Sequence, residues 1–443
     1  QATTAAQAAE VQPTTEEITL RWVGAGWEQN DKAKNIIAKW ESKYPNIHVQ
    51  YIDLGTVVDE SALANIDTMI GGGETVDVLY LTYDEVYKRV MNGGALPLDE
   101  YIAGNGDNYE ELFGSLSTAM LQYEGNIYGV PYAGNTFKVF YNKDMTDAAG
   151  ITIPESWSVE EFTETAKKLA AATDADVSGV VMPYTWAEIL YVPALISGWN
   201  LTKRDASGNV VPNFDDETFK KSIQWAHDLA SVEKLCPDLA TMKAESINRR
   251  QYLASGKTAM IIDGPYTLVW LQNYMYNDPG EGDLPFTLGV TNLPYATEAG
   301  KDVCYNTLVG AFYVPKTAQY PAEAYLFEKF ICEECNGEAA NYMPISTKAD
   351  MKAATKSFTE YIDKAGVKHE NVYPQEVAEA AVATPFESHV GRYGYDATLA
   401  TYNSLMLTLY SEQYPLYLNG EMELDEWVEM MQDLGATEIA NAN

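Results

Sequence analysis

Basic residues are scarce in this chain: 29 Lys+Arg stand against 64 Asp+Glu in 443 residues, a formal net charge of −35. A surface so biased repels phosphate rather than neutralising it, which excludes nucleic acid and acidic lipid headgroups as partners. Cysteine and histidine are scarce as well, four of each. Cys332 and Cys335 have C-x-x-C spacing, yet none of His48, His227, His369 or His389 lies near them in sequence. A zinc or redox pair is therefore the less economical reading beside buried helix-borne thiols or one local disulfide, and no metal or cofactor is expected. No apolar run reaches the roughly 18 residues that mark a membrane-spanning helix. Also missing are a nucleophile elbow, a phosphate-cradling glycine loop and a metal-spaced histidine pair.

What is present is ordinary globular composition, 46% hydrophobic and 21% charged, with an aromatic excess of 31 Tyr, 9 Trp and 12 Phe. A single core stops growing at about 250–300 residues, so two domains are expected. Residues 1–17 hold almost nothing to bury and read as a flexible tether left after removal of a signal segment. From residue 18 the pattern alternates: a β-rich run at 18–23, an amphipathic helix with Ala33, Ile36, Ile37 and Trp40 on one face, and a strand at 47–52. A helix with Leu63, Ile66 and Ile70 and an apolar strand at 76–81 follow. This β-α-β-α-β order predicts a parallel sheet flanked by helices, with ligands at the carboxyl ends of the strands. Farther on, Ser158 and Glu161 make a capping box for a helix facing inward through Phe162, Ala166 and Leu169. Further helices are expected at 189–197, 216–232 and 246–254 and a strand at 259–262, while the last third is helical and Tyr-rich.

Eight short segments then occur in a familiar order. They are Ile18-Thr-Leu-Arg-Trp22, Tyr44-Pro-Asn-Ile47-His-Val49, Val76-Asp77-Val78 leading to Gly94-Ala-Leu96-Pro-Leu98, Ile127-Tyr-Gly-Val-Pro131, Phe140-Tyr-Asn-Lys143, Ala149-Gly-Ile151 before Pro154-Glu-Ser-Trp157, Gly256-Lys-Thr-Ala-Met260, and Gly264-Pro-Tyr266. In this order the chain resembles the extracellular solute-binding proteins of bacterial ABC importers, the maltose-binding-protein-like group. The resemblance implies an α/β fold of two lobes, each a mainly parallel sheet flanked by helices, joined by three hinge crossovers and closing over a ligand in the cleft. It places 18–134 plus 310–342 in one lobe and 135–309 plus 343–443 in the other. It also implies an extracytoplasmic, lipid-anchored monomer that delivers its ligand to permease subunits.

A sugar offers hydroxyls and apolar C–H faces, so its site needs stacking aromatics beside planar hydrogen-bonding groups. Mapped onto this sequence, the resemblance nominates Trp27 and Glu28 after the first strand and Tyr83 and Asp84 after the third, Asp84 also being suited to cap the following helix. Asn135 stands where many sugar-binding members carry a carboxylate. Tyr184 and Trp186 hold the second-lobe aromatic position, and Asp263 and Tyr266 flank Gly264-Pro265, with Tyr266 at the family's best-known stacking position. Tyr305 and Asn306 precede a crossover, and Arg392, Tyr393 and Tyr395 enter a C-terminal helix whose later Tyr402, Tyr410 and Tyr414 read as packing. The expected ligand is a neutral oligosaccharide. A polyamine, peptide or other small polar solute is the alternative within the fold, and a carbohydrate-active enzyme with paired carboxylates is the alternative outside it. No cluster of Lys or Arg is evident near the proposed loops, which counts against an anionic ligand.

Overall fold

The computed structural model describes residues 13–25, 32–55, 59–277, 279–335, 343–383, 388–390 and 399–442. Two compact units divide the chain. Unit 1 is Gln1–Gly134 with Leu308–Lys356, and unit 2 is Asn135–Thr307 with Ser357–Asn443. The chain therefore passes between them three times.

Unit 1 is built on a six-stranded sheet of β1 (Ile18–Gly24), β2 (Ile47–Asp53), β3 (Val78–Thr82), β4 (Val130–Asn135), β5 (Thr307–Tyr313) and β6 (Met343–Pro344). Its spatial order is β6-β4-β5-β3-β1-β2. The first three strands pair in parallel, as the alternating pattern predicts, with helices Lys32–Lys43 and Glu60–Gly71 as the crossovers. β5 then adds to β3 antiparallel, and Met343 pairs with Gly134 on β4. That last pairing keeps residues 343–356 with unit 1, where the resemblance assigned 343 onward to the other lobe. The helix face is aromatic: Phe327 on helix Pro321–Glu334 sits edge-on to both Trp22 and Trp40, with centroids 5.5 and 5.1 Å apart. Asp77, buried at the entry to β3, accepts from the backbone N–H of Arg21 on β1 and of Gln319 and Tyr320 ahead of that helix. Its carboxylate thus satisfies three backbone donors where sheet and helix meet.

In unit 2 the central strand Lys138–Asn142 lies between Met260–Asp263 and Leu288–Asn292, antiparallel to both. Here the expectation of a mainly parallel sheet gives way. The outer strands are the two arms of a β-α-β crossover through helix Thr267–Tyr276 and run the same way, but the strand admitted between them enters from the opposite direction. The capping box forms as the sequence indicates, with Ser158 Oγ accepting from Glu161 N and the Glu161 carboxylate accepting from Ser158 N. Helices Glu217–Ser231, Ala400–Leu418 and Leu424–Ala442 enclose a second aromatic core, in which Phe219 stacks on Trp199 at 4.6 Å and Tyr410 packs edge-on to Trp427.

Candidate functional site

The most ordered cluster of the nominated residues grows from the end of the strand Met260–Asp263 in unit 2. Three apolar residues, Met260, Ile261 and Ile262, are fully buried and carry the strand through the core to Asp263. Pro265 then fixes the backbone of a tight turn, closed by Thr267 N donating to Gly264 O at 3.0 Å, and helix Thr267–Tyr276 begins. The turn folds the Tyr266 ring back over Gly264: a Cβ at that position would lie 2.4 Å from ring Cε1. Only glycine leaves the room.

Asp263 is 0% exposed and fully engaged. It accepts from Arg250 Nε at 2.7 Å and Nη2 at 3.2 Å, from Arg249 Nη2 at 3.0 Å and from Gly264 N at 2.8 Å. Burial alone would raise its pKa, but the charges of Arg249 and Arg250 outweigh burial and hold the carboxyl below its ordinary value. Both arginines open the short helix Arg249–Ala254, which Asn248 caps by accepting from Arg250 N and Gln251 N.

The guanidinium groups also lie on aromatic rings. Arg249 Cζ is 4.6 Å from the centroid of Trp186 and Arg250 Cζ 5.0 Å from that of Tyr266, both within cation–π range. The two rings meet edge-to-face at 66° with centroids 5.9 Å apart. From Trp186 the aromatic run continues to Phe137 at 6.0 Å and on to Tyr305, which Phe137 stacks at 5.3 Å and 21°. Trp186 and Tyr266 are each half-buried, leaving ring surface for a ligand. Burial, followed by the nearby Asp263 charge, pushes the Tyr266 phenol far up, so it stays protonated, and its hydroxyl is buried with no hydrogen-bond partner among the described residues.

Of the nominated residues, Trp186, Asp263 and Tyr266 come together, with Tyr305 linked to them through Phe137. Asp263 is committed to the arginines, which corrects its nomination as a ligand contact: its carboxylate is enclosed and already saturated. Tyr184 is also corrected. It is buried in the core, where its hydroxyl donates to Ala226 O and its own carbonyl accepts from the Tyr414 hydroxyl at 2.9 Å. Asn135 and Asn306 belong to unit 2, and the Oδ1 of each is buried with no hydrogen-bond partner among the described residues. Tyr83 lies in unit 1, buried, its ring stacked on Tyr87 at 6.2 Å. Asp84 falls in the first turn of helix Tyr83–Met91 rather than at its cap, which is Thr82. Trp27, Glu28, Arg392, Tyr393 and Tyr395 lie outside the described residues.

Sequence reasoning missed Arg249, Arg250 and Phe137. The reading that no basic cluster approaches the loops is wrong, because two adjacent arginines reach the strand end from 13 and 14 residues upstream. The available signal was the Arg-Arg pair at the start of a helix leading directly into the strand that ends at Asp263. All four cysteines are buried and none is in a disulfide, and among the described residues no three His, Cys, Asp or Glu side chains are placed to hold a metal ion. No described helix is long and apolar enough to cross a membrane.

With the fold and this cluster in view, the chain belongs to the bacterial extracellular solute-binding protein family, which it matches over residues 26–332. Its α/β, two-lobe fold is shared with a sugar transporter from Rhizobium etli in an open conformation, at 19% identity over 95% of this chain and 99% of that one with a TM-score of 0.74. The sugar-binding protein MalE from Xanthomonas citri is similar in the same way, at 14% identity over 96% and 98% of the two chains and a TM-score of 0.73. A maltotriose-binding protein from Pyrococcus abyssi is 20% identical over 237 residues, 53% of this chain and 45% of that protein. The chain spans less than half the length of the curated relatives it matches.

Proposed function

We propose that this protein captures a neutral oligosaccharide by stacking it on Trp186 and Tyr266 and passes it to the membrane permease of an ABC importer, with units 1 and 2 serving as the two lobes. In this reading it is a monomer held at the outer face of the cell membrane and performs no catalysis. The observation that carries it is the pair of half-buried rings at the end of a core strand, 5.9 Å apart and at 66° to one another. Such rings offer apolar faces to sugar C–H groups, while the Tyr266 hydroxyl and the amides of Asn135 and Asn306 offer polar contacts. Names of similar proteins, a maltotriose-binding protein and MalE among them, support a sugar as the ligand class.

The polyamine alternative loses its main support at this cluster. The buried carboxylate of Asp263 is taken by two guanidinium groups, and those groups repel a second cation. Calorimetry on a panel of neutral di- to tetrasaccharides, with a polyamine and a short peptide alongside, tests the proposal. Heat from at least one glycan and from neither of the others is expected; binding of the polyamine or peptide alone overturns it.

A further inference from the structure

We propose that Arg249, Arg250 and Asp263 form a clamp that positions Trp186 and Tyr266 for ligand stacking, and that the Nε of Arg249 is left as a donor for a ligand oxygen. The inference rests on the sugar-binding reading and adds to it the residues that hold the stacking rings in place.

Each guanidinium makes two kinds of contact at once. Its N–H groups bond the Asp263 carboxylate, at 3.0 Å from Arg249 and at 2.7 and 3.2 Å from Arg250, and the same group lies on a ring, at 4.6 Å for Arg249 on Trp186 and 5.0 Å for Arg250 on Tyr266. A ring cannot swing without disturbing an ion pair whose carboxylate is enclosed, where breaking it is costly. Only arginine combines a planar fork for the carboxylate with a flat face for the ring; a lysine ammonium is a point charge and cannot do both. The clamp also determines which surface is on offer, since the ring area beneath each guanidinium is closed to a sugar. One donor remains unspent: Arg249 Nε is buried with no acceptor among the described residues. A buried donor without a partner is unfavourable. A hydroxyl or ring oxygen of a sugar lying on Trp186 would satisfy it, making Arg249 a specificity-determining residue as well as a support.

The test uses the full chain labelled with 5-fluorotryptophan, the Trp186 resonance being assigned by its loss in Trp186→Phe. Arg249→Gln and Arg250→Gln are compared with Arg249→Lys and with the parent, each first shown to be folded by circular dichroism. In the ligand-free protein Arg249→Gln is expected to shift or broaden the Trp186 line. It is also expected to weaken the tightest-binding glycan of the neutral panel by tenfold or more, with Arg249→Lys restoring little of either. A merely structural pair would lower the melting temperature while leaving line and affinity of the folded protein unchanged, and that result overturns the inference. If no glycan binds the parent, the sugar reading fails, and the clamp still stands or falls on the fluorine line.

Discussion

Tyr266 keeps its ring over Gly264 because nothing else fits there, and the two residues act as one device. Removing the ring in Tyr266→Ala is expected to weaken glycan binding by about 1–3 kcal/mol with the protein still folded, as for a buried aromatic anchor. Gly264→Ala, whose methyl would sit 2.4 Å from the ring, is expected to weaken binding similarly by displacing a ring that is still present. Calorimetry and a melting curve on each variant check this, and unchanged affinity in both would move the site elsewhere. Tyr266 and Trp186 were nominated through the resemblance, and the fold brings their rings together. Tyr184, two residues from Trp186, was not separable from it in the sequence. Tyr184 turns inward, where its hydroxyl meets the Ala226 carbonyl on a helix far along the chain, while Trp186 stays half-buried. Asp263 was misread for the same reason: a carboxylate at a strand end looks available until the arginines that occupy it are seen in place.

At the level of elements, the helix Pro321–Glu334 carries a conspicuous local conflict. Its inward face includes Glu328, 0% exposed, with neither carboxyl oxygen hydrogen-bonded among the described residues. Burial raises its pKa well above the ordinary carboxyl value of 4.5, so the folded protein holds the group protonated over a range where the unfolded chain has released the proton. In that range the native state binds more protons, and stability falls as pH rises from 4.5 toward the raised value. Glu328→Gln, which has no proton to lose, is expected to melt several degrees higher than the parent at pH 7 to 8, with the difference shrinking toward pH 5. Melting curves across that interval check it; a parent that gains stability from pH 5 to 8 relative to the variant would contradict it. Elements of this kind were largely legible, because helix starts and strand runs depend on nearby residues, as the Ser158 capping box illustrates. Sheet direction in unit 2 was not, because the partner strands of Lys138–Asn142 come from more than a hundred residues away.

Over the whole molecule the dominant quantity is charge. With a net −35 the surface repels itself, and salt shortens the reach of that repulsion from about 30 Å at 0.01 M to about 8 Å at 0.15 M. The surface ion pairs, such as Lys43 with Glu334 and Arg21 with Glu74, join partly exposed groups and contribute little individually. Screening is therefore expected to relieve more repulsion than it removes attraction, and the melting temperature should rise as sodium chloride is added over this interval. A fall would show that the ion pairs outweigh the excess charge. The division into two units followed from chain length and from the resemblance, whereas the position of residues 343–356 depends on long-range contacts that no local pattern announces, the pairing of Met343 with Gly134 and the bond from Thr347 N to Leu112 O among them.

The sheet order of unit 1 also governs when that unit can be finished. β5 lies between β4 and β3 yet begins at Thr307, so until that stretch has been synthesised the strands already made remain in two separate pieces with an open seam. Residues 135–307 of unit 2 must emerge before the seam can close. Strands β1 to β3 are thus made well before their sheet can be completed, and a chain released early, before residue 307, leaves β3 without the neighbour that joins the sheet together.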